Sequence, residues 1–181
     1  KEVVGRADAP VLIDQEGGRV QRLGPPHWRR YPAAQRYLEA ARGDLSQAVD
    51  LVRLGARLIA HDLHELGITI DCAPALDLGF EGRTDAIGDR TFARDPEAVI
   101  RLGRAFAEGL LAGGVLPAIK HMPGHGRAIV DSHKLMPKVE VPISELMESD
   151  FLPFRALSDL PIGLTAHILF PHVDPEAPAT L

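Results

Sequence analysis

The stretch GVLPAIKHMPGHGRAIVDSH, Gly114 to His133, decides the fold. Its first six residues, Gly114 to Ile119, form a short apolar run of the kind buried on both faces of a parallel sheet. The character of the chain then changes at once: three histidines, a lysine and an aspartate fall between Lys120 and His133, broken by Pro123, Gly124 and Gly126. Those breakers predict a loop. A polar loop leaving the C-terminal end of a buried strand is where α/β folds carry their chemistry.

On either side of this stretch, short apolar runs alternate with longer amphipathic segments. Pro10 to Asp14 reads as a strand, and Leu45 to Leu66 as a helix with Val49, Val52, Ala56, Ile59 and Leu63 at helical spacing. Ile68 to Leu76 reads as a second strand, followed by a Gly-rich loop. Asp95 as cap and Pro96 as first helical residue open a helix to about Ala112, which Gly113 and Gly114 end. After the third strand and its loop, Ser144, Leu146, Met147, Phe151 and Phe154 predict a helix whose end Pro153 should disturb, and Ile162 to Leu169 reads as the fourth strand. This β-α-β-α-β-α-β order predicts parallel α/β construction. Polar motifs follow all four strands and no Gly-x-Gly-x-x-Gly turn is present, which favours a (β/α)8 TIM-type barrel over a doubly wound sheet with one switch point. A whole barrel takes about 250 residues. With only about four β/α units, residues 1–181 are expected to be part of a single catalytic barrel domain, with N- and C-terminal parts missing.

The 181 residues are 45% hydrophobic and 25% charged, an ordinary globular composition. A net charge of -5 argues against a nucleic-acid binder, which needs a concentrated basic face. No run reaches the roughly 18 apolar residues that span a bilayer, so no membrane partner is expected. The single cysteine, Cys72, sits in an apolar run, reads as a small buried hydrophobe and fits a reducing compartment.

Four segments carry candidate chemistry. DQEGGRVQR, residues 14 to 22, leaves a strand, turns at Gly17 and Gly18, and sets two carboxylates beside two arginines. It is either a strand-end turn with surface ion pairs, or a set of hydrogen-bonding groups suited to sugar hydroxyls or an acidic substituent. Arg90 lies in a long loop and is either a binding group or a structural partner of Asp89 or Asp95. Asp131 and His133, two apart, can bring a carboxylate to an imidazole and make His133 a proton shuttle; a purely structural tie satisfies the same spacing. His121, His125, His133 and Asp131 are also possible metal ligands, but Pro123 and Gly124 forbid the helix that would align the first two, and no metal or other cofactor is expected. HDLHE, residues 61 to 65, lies on a predicted helix and reads as a solvated, ion-paired face.

DQEGGRVQR, GDRTF at residues 88 to 92, KHMPGHG followed by DSH, and TAHILFPHVDPEAPAT at residues 165 to 180 resemble, in that order, the signatures of glycoside hydrolase family 3. Within it they resemble the β-N-acetylglucosaminidases of bacterial peptidoglycan recycling. The resemblance covers nearly the whole chain, with Met122 where the family pattern usually has Phe. It implies a retaining hydrolase on a TIM-type barrel, with His133 as general acid/base and Asp131 as the residue that orients and tunes it. Asp14, Arg22, Arg90, Lys120 and His121 match positions that bind N-acetylglucosamine. A histidine in place of a carboxylate acid/base suits an anionic reacting partner, because a neutral base repels an anion less. The nucleophilic aspartate of the family lies on a later strand, outside these residues. The implied enzyme is a cytoplasmic monomer removing N-acetylglucosamine from muropeptides such as GlcNAc-1,6-anhydro-MurNAc. A β-N-acetylglucosaminide phosphorylase and an inactive sugar-binding barrel stand as alternatives.

Overall fold

The computed structural model describes residues 3–82, 86–130 and 136–180. Two capped amphipathic helices supply most of the scaffold. The longer, α2 (Leu45–Glu65), starts where the Asp44 carboxylate accepts the Gln47 N–H at 3.0 Å. It buries Ala48, Val52, Ala56, Ile59, Ala60 and Leu63 on one face. Its partner α3 (Pro96–Ala112) is capped by Asp95, whose carboxylate accepts the Ala98 N–H at 2.8 Å, and begins with Pro96. The two lie side by side along a seam of small residues. A methyl added at Gly109 would sit 2.5 Å from the Arg53 carbonyl oxygen and 2.7 Å from Ala56 Cβ, and one at Gly113 would collide with Ala60 Cβ. Close backbone approach, and not side-chain interlock, defines this contact.

The strands are β1 (Leu12–Ile13), β4 (Ile70–Asp71), β5 (Leu116–Met122) and β6 (Ile162–Thr165), all parallel and ordered β1-β4-β5-β6. Spatial order equals chain order, with no reversal. That succession is the arc of a (β/α) barrel, whereas a doubly wound sheet reverses at a switch point. Between β1 and β4 the chain makes a small antiparallel hairpin, β2 (Gln15–Gly17) with β3 (Val20–Gln21), and the short helix α1 (Ala34–Ala40). Gly17 and Gly18 turn the hairpin with φ of 93° and 59°, and the backbone of Pro32 and the side chain of Ala33 press on them so closely that neither could carry a Cβ. One apolar core lies between the helices and the sheet, around Ile59, Leu63, Leu76, Leu102, Leu110 and Ile119. A second gathers Ala128, Val139, Leu146, Phe151, Ile168 and Phe170.

The helices predicted over residues 45–66 and 96–112 appear with those bounds to within a residue. The strands differ. The third begins at Leu116 and continues through Lys120, His121 and Met122, so the first residues of the expected loop are strand residues. The second is a regular strand for only Ile70 and Asp71, although the Ala73 and Pro74 carbonyls go on accepting from the Ala118 and Lys120 N–H groups and an isolated bridge joins Ala75 to Lys120. Pro153 does not spoil the end of a helix: it stands in the first turn of α5 (Leu152–Ala156), separated from α4 (Ile143–Glu148), where a missing N–H costs nothing. Cys72 is half-buried and not fully buried. In HDLHE, Leu63 is core and Asp62 accepts a hydrogen bond from Tyr31 Oη at 2.5 Å, while His61, His64 and Glu65 are exposed. No helix among the described residues is long and apolar enough to cross a membrane.

Candidate active site

At the C-terminal ends of β1, β4 and β5, acidic and basic side chains interlock in one chain of contacts. Lys120, towards the C-terminal end of β5 and almost fully buried, places its ammonium 2.8 Å from Asp14 Oδ1 and 2.6 Å from Glu16 Oε1. Asp14 follows β1 and is also held by Arg22 Nη2 at 3.2 Å. Glu16, on β2, accepts a forked pair from Arg90, at 2.9 Å from Nε and 2.7 Å from Nη2. Arg90 Nη2 lies 3.2 Å from His121 Nε2, and His121 Nδ1 lies 2.7 Å from Asp77 Oδ2. Since the Asp77 carboxylate only accepts, it is the Nδ1–H of His121 that is donated to it. Asp77 is fully buried and takes the His125 N–H at 2.6 Å as well.

The electrostatics follow from these partners. Burial alone would raise the carboxyls of Asp14 and Glu16. Lys120 and Arg22 outweigh it for Asp14, and Arg90 with Lys120 for Glu16, so both are held below the usual carboxylate range. Asp77 is held down in the same way, against its burial, by the His121 imidazole and the His125 N–H. Against its own desolvation, Arg90 is kept cationic by Glu16. His125, by contrast, is depressed by burial, with Asp77 opposing. Its ring meets that of His121 edge to face at 5.7 Å between centroids.

The network therefore has a buried floor and an open rim. Glu16, Lys120 and Asp77 form the floor; Asp14, Arg22 and His121 have the exposed atoms, with side-chain accessibilities of 38%, 63% and 22%. Carboxylate acceptors and guanidinium donors held at fixed positions suit vicinal hydroxyls. Of the residues singled out in the sequence, Asp14, Arg22, Arg90, Lys120 and His121 are brought together here. Asp131 and His133 lie outside the described residues. Asp77 was not singled out as a member of the site, and Glu16 entered only as the second carboxylate of DQEGGRVQR. Glu16 carries a signal in the sequence, since it lies two residues from Asp14 at a strand end and so shares its face. Among the described residues, no three His, Cys, Asp or Glu side chains are grouped to hold a metal ion.

The hairpin that carries Glu16 is pinned by two glutamines. Gln15 donates to the Leu23 carbonyl at 2.9 Å and accepts the Leu23 N–H at 3.0 Å; Gln21 donates to Leu23 and Arg29 carbonyls and accepts the Tyr31 N–H. On the far side of the site, Arg127 reaches Asp150 at 2.7 Å, Glu145 at 2.8 Å and the Phe80 ring, so the segment after β5 is tied to α4, α5 and the loop after β4.

Comparison with known proteins agrees with the fold. A β-hexosaminidase of Chromobacterium violaceum is 39% identical over 92% of this chain and 46% of its own length. NagZ from Neisseria gonorrhoeae, solved in complex with N-trifluoroacetyl-D-glucosamine, superposes with a TM-score of 0.86 at 36% identity, over 93% of this chain and 50% of its own. A family 3 β-N-acetylglucosaminidase from Paenibacillus gives a TM-score of 0.87 at 33% identity, over 99% of this chain and 33% of its own. The chain spans about half the length of the curated relatives it matches. The profile of the glycosyl hydrolase family 3 N-terminal domain matches residues 3–181, and the chain belongs to that family.

Proposed function

We propose that this chain provides the sugar-binding and acid/base side of a retaining exo-β-N-acetylglucosaminidase that acts on muropeptides. The observation that carries the reading is the interlocked set Asp14–Lys120–Glu16–Arg90–His121, drawn from the ends of β1 and β5, the hairpin and the loop after β4 into one site. The names of the matching relatives, β-hexosaminidase and β-N-acetylglucosaminidase, support it.

In this reading Asp14 and Arg22 take sugar hydroxyls at the rim, while Arg90, Lys120 and His121 bind from below. Catalysis is a double displacement. A carboxylate on a later strand of the barrel attacks the anomeric carbon, and no residue of this chain is assigned that part. His133, as imidazolium, gives its proton to the departing oxygen, and the neutral imidazole then takes a proton from the attacking water. Asp131 orients His133 and raises its basicity.

The test uses full-length enzyme and aryl N-acetyl-β-glucosaminides of graded leaving-group acidity, beside the matching β-glucosides. His133→Ala should lose most activity on the poorest leaving groups, since a good one departs without a proton. Equal loss along the series would remove His133 from the acid/base role, and preference for the plain glucoside would remove the substrate assignment.

A further inference from the structure

Asp71 is a buried carboxyl group with no part in the double displacement. It is the last residue of β4, fully enclosed beneath the site. Oδ1 accepts the Gln15 N–H at 3.0 Å, whereas Oδ2 has no hydrogen-bond partner among the described residues. An ionised carboxylate with one oxygen unsolvated is costly to bury, and the neutral acid much less so. The charges that face it are Lys120 from β5 and Asp14 and Glu16 from the hairpin, with the Cys72 thiol next in the chain. The Lys120 ammonium is already shared by Asp14 at 2.8 Å and Glu16 at 2.6 Å. Two carboxylates thus hold the ammonium, and Asp71, which feels it without an ion-pair contact, is the one to keep its proton. Burial, opposed by the Gln15 N–H and Lys120, pushes Asp71 up to about 7.

We propose that Asp71 is a positioning residue that works as a neutral acid: it holds the Gln15 N–H, thereby setting Asp14 and Glu16 on either side of that residue against Lys120, and loss of its proton unseats them. The ionised form adds a third negative charge that repels Asp14 and Glu16 and competes for Lys120. Affinity for the sugar should therefore be full below the Asp71 ionisation and fall above it. Asparagine keeps the acceptor for Gln15 and cannot ionise.

This inference rests on the sugar-binding reading. KM and kcat of the full-length enzyme on an aryl N-acetyl-β-glucosaminide are measured between about pH 6 and pH 8.5, spanning the neutral range. The expected result is a several-fold rise of wild-type KM across that range, absent in Asp71→Asn, with the pH dependence of kcat alike in both. Superimposed KM profiles overturn the proposal. Should the variant not fold, a carbon-13 carboxyl NMR titration of wild-type aspartates decides: one carboxyl titrating near neutrality supports it, and full ionisation of every aspartate in acid overturns it. A wild type inactive on N-acetylglucosaminides refutes the functional reading instead, and the same titration still decides whether Asp71 holds its proton.

Discussion

Glu16 joins the two halves of the site, because among the described residues it alone is ion-paired with both Lys120 and Arg90. Removing one member of a buried ion pair strands the others, at a cost of roughly 3–5 kcal/mol. Glu16→Ala should therefore lower unfolding stability by about that amount in urea titration and raise KM, whereas Glu16→Gln, which still accepts from Arg90, should retain more of both. A Glu16→Ala protein as stable as wild type would show that Asp14 alone neutralises Lys120. At this scale the sequence revealed Asp14, Lys120 and His121 as polar groups following apolar runs, and Arg90 by its place in a long loop, where it ends a 3-10 turn, Gly88–Arg90. It did not reveal Asp71 or Asp77. Asp71 is embedded in an apolar run, and the contact that gives it meaning is with Gln15, 56 positions away in the chain. Asp77 likewise acquires its role from His121, 44 positions on. Local pattern carries no information about such pairs.

Among the elements, α2 and α3 were legible because periodicity, an aspartate cap and a terminal proline or glycine all agree. The short helices were legible only in part: α1, with seven residues and no side-chain cap, left no mark, while α4 and α5 read as a single helix because the apolar spacing runs across the three residues between them. Strand bounds shifted as well: after Asp71 the chain still bonds to its neighbours, through the Cys72 N–H to Ile13 and through the Ala73 and Pro74 carbonyls to β5, but no longer as a regular ladder. The seam between α2 and α3 was equally silent in the sequence, since a helical glycine ordinarily weakens a helix. Here Gly109 is required by the Arg53 backbone and Ala56. Gly109→Val should destabilise by about 1–3 kcal/mol through overpacking, despite the better backbone propensity of valine. Thermal unfolding checks it; an unchanged or raised melting temperature would mean the helices can move apart freely.

For the molecule as a whole, the ascending strand order brings the segments that follow β1, β4 and β5 to the same edge of the sheet, where their polar side chains meet. The segment after β5 is held at its base by Arg127 on Asp150 and Glu145, so the floor and its flank belong to one packed body. The division of the ion network into buried floor and open rim separates two kinds of affinity by their response to ionic strength. Mobile ions screen charges they can approach, over about 10 Å at 0.1 M, and act little on pairs enclosed by protein. Raising salt should leave the KM of an uncharged aryl N-acetylglucosaminide nearly constant, because Lys120, Glu16 and Arg90 are out of reach. It should raise the KM of a muropeptide whose carboxylate is drawn in by exposed Arg22, and equal salt responses of the two substrates would assign no electrostatic recruitment to that rim.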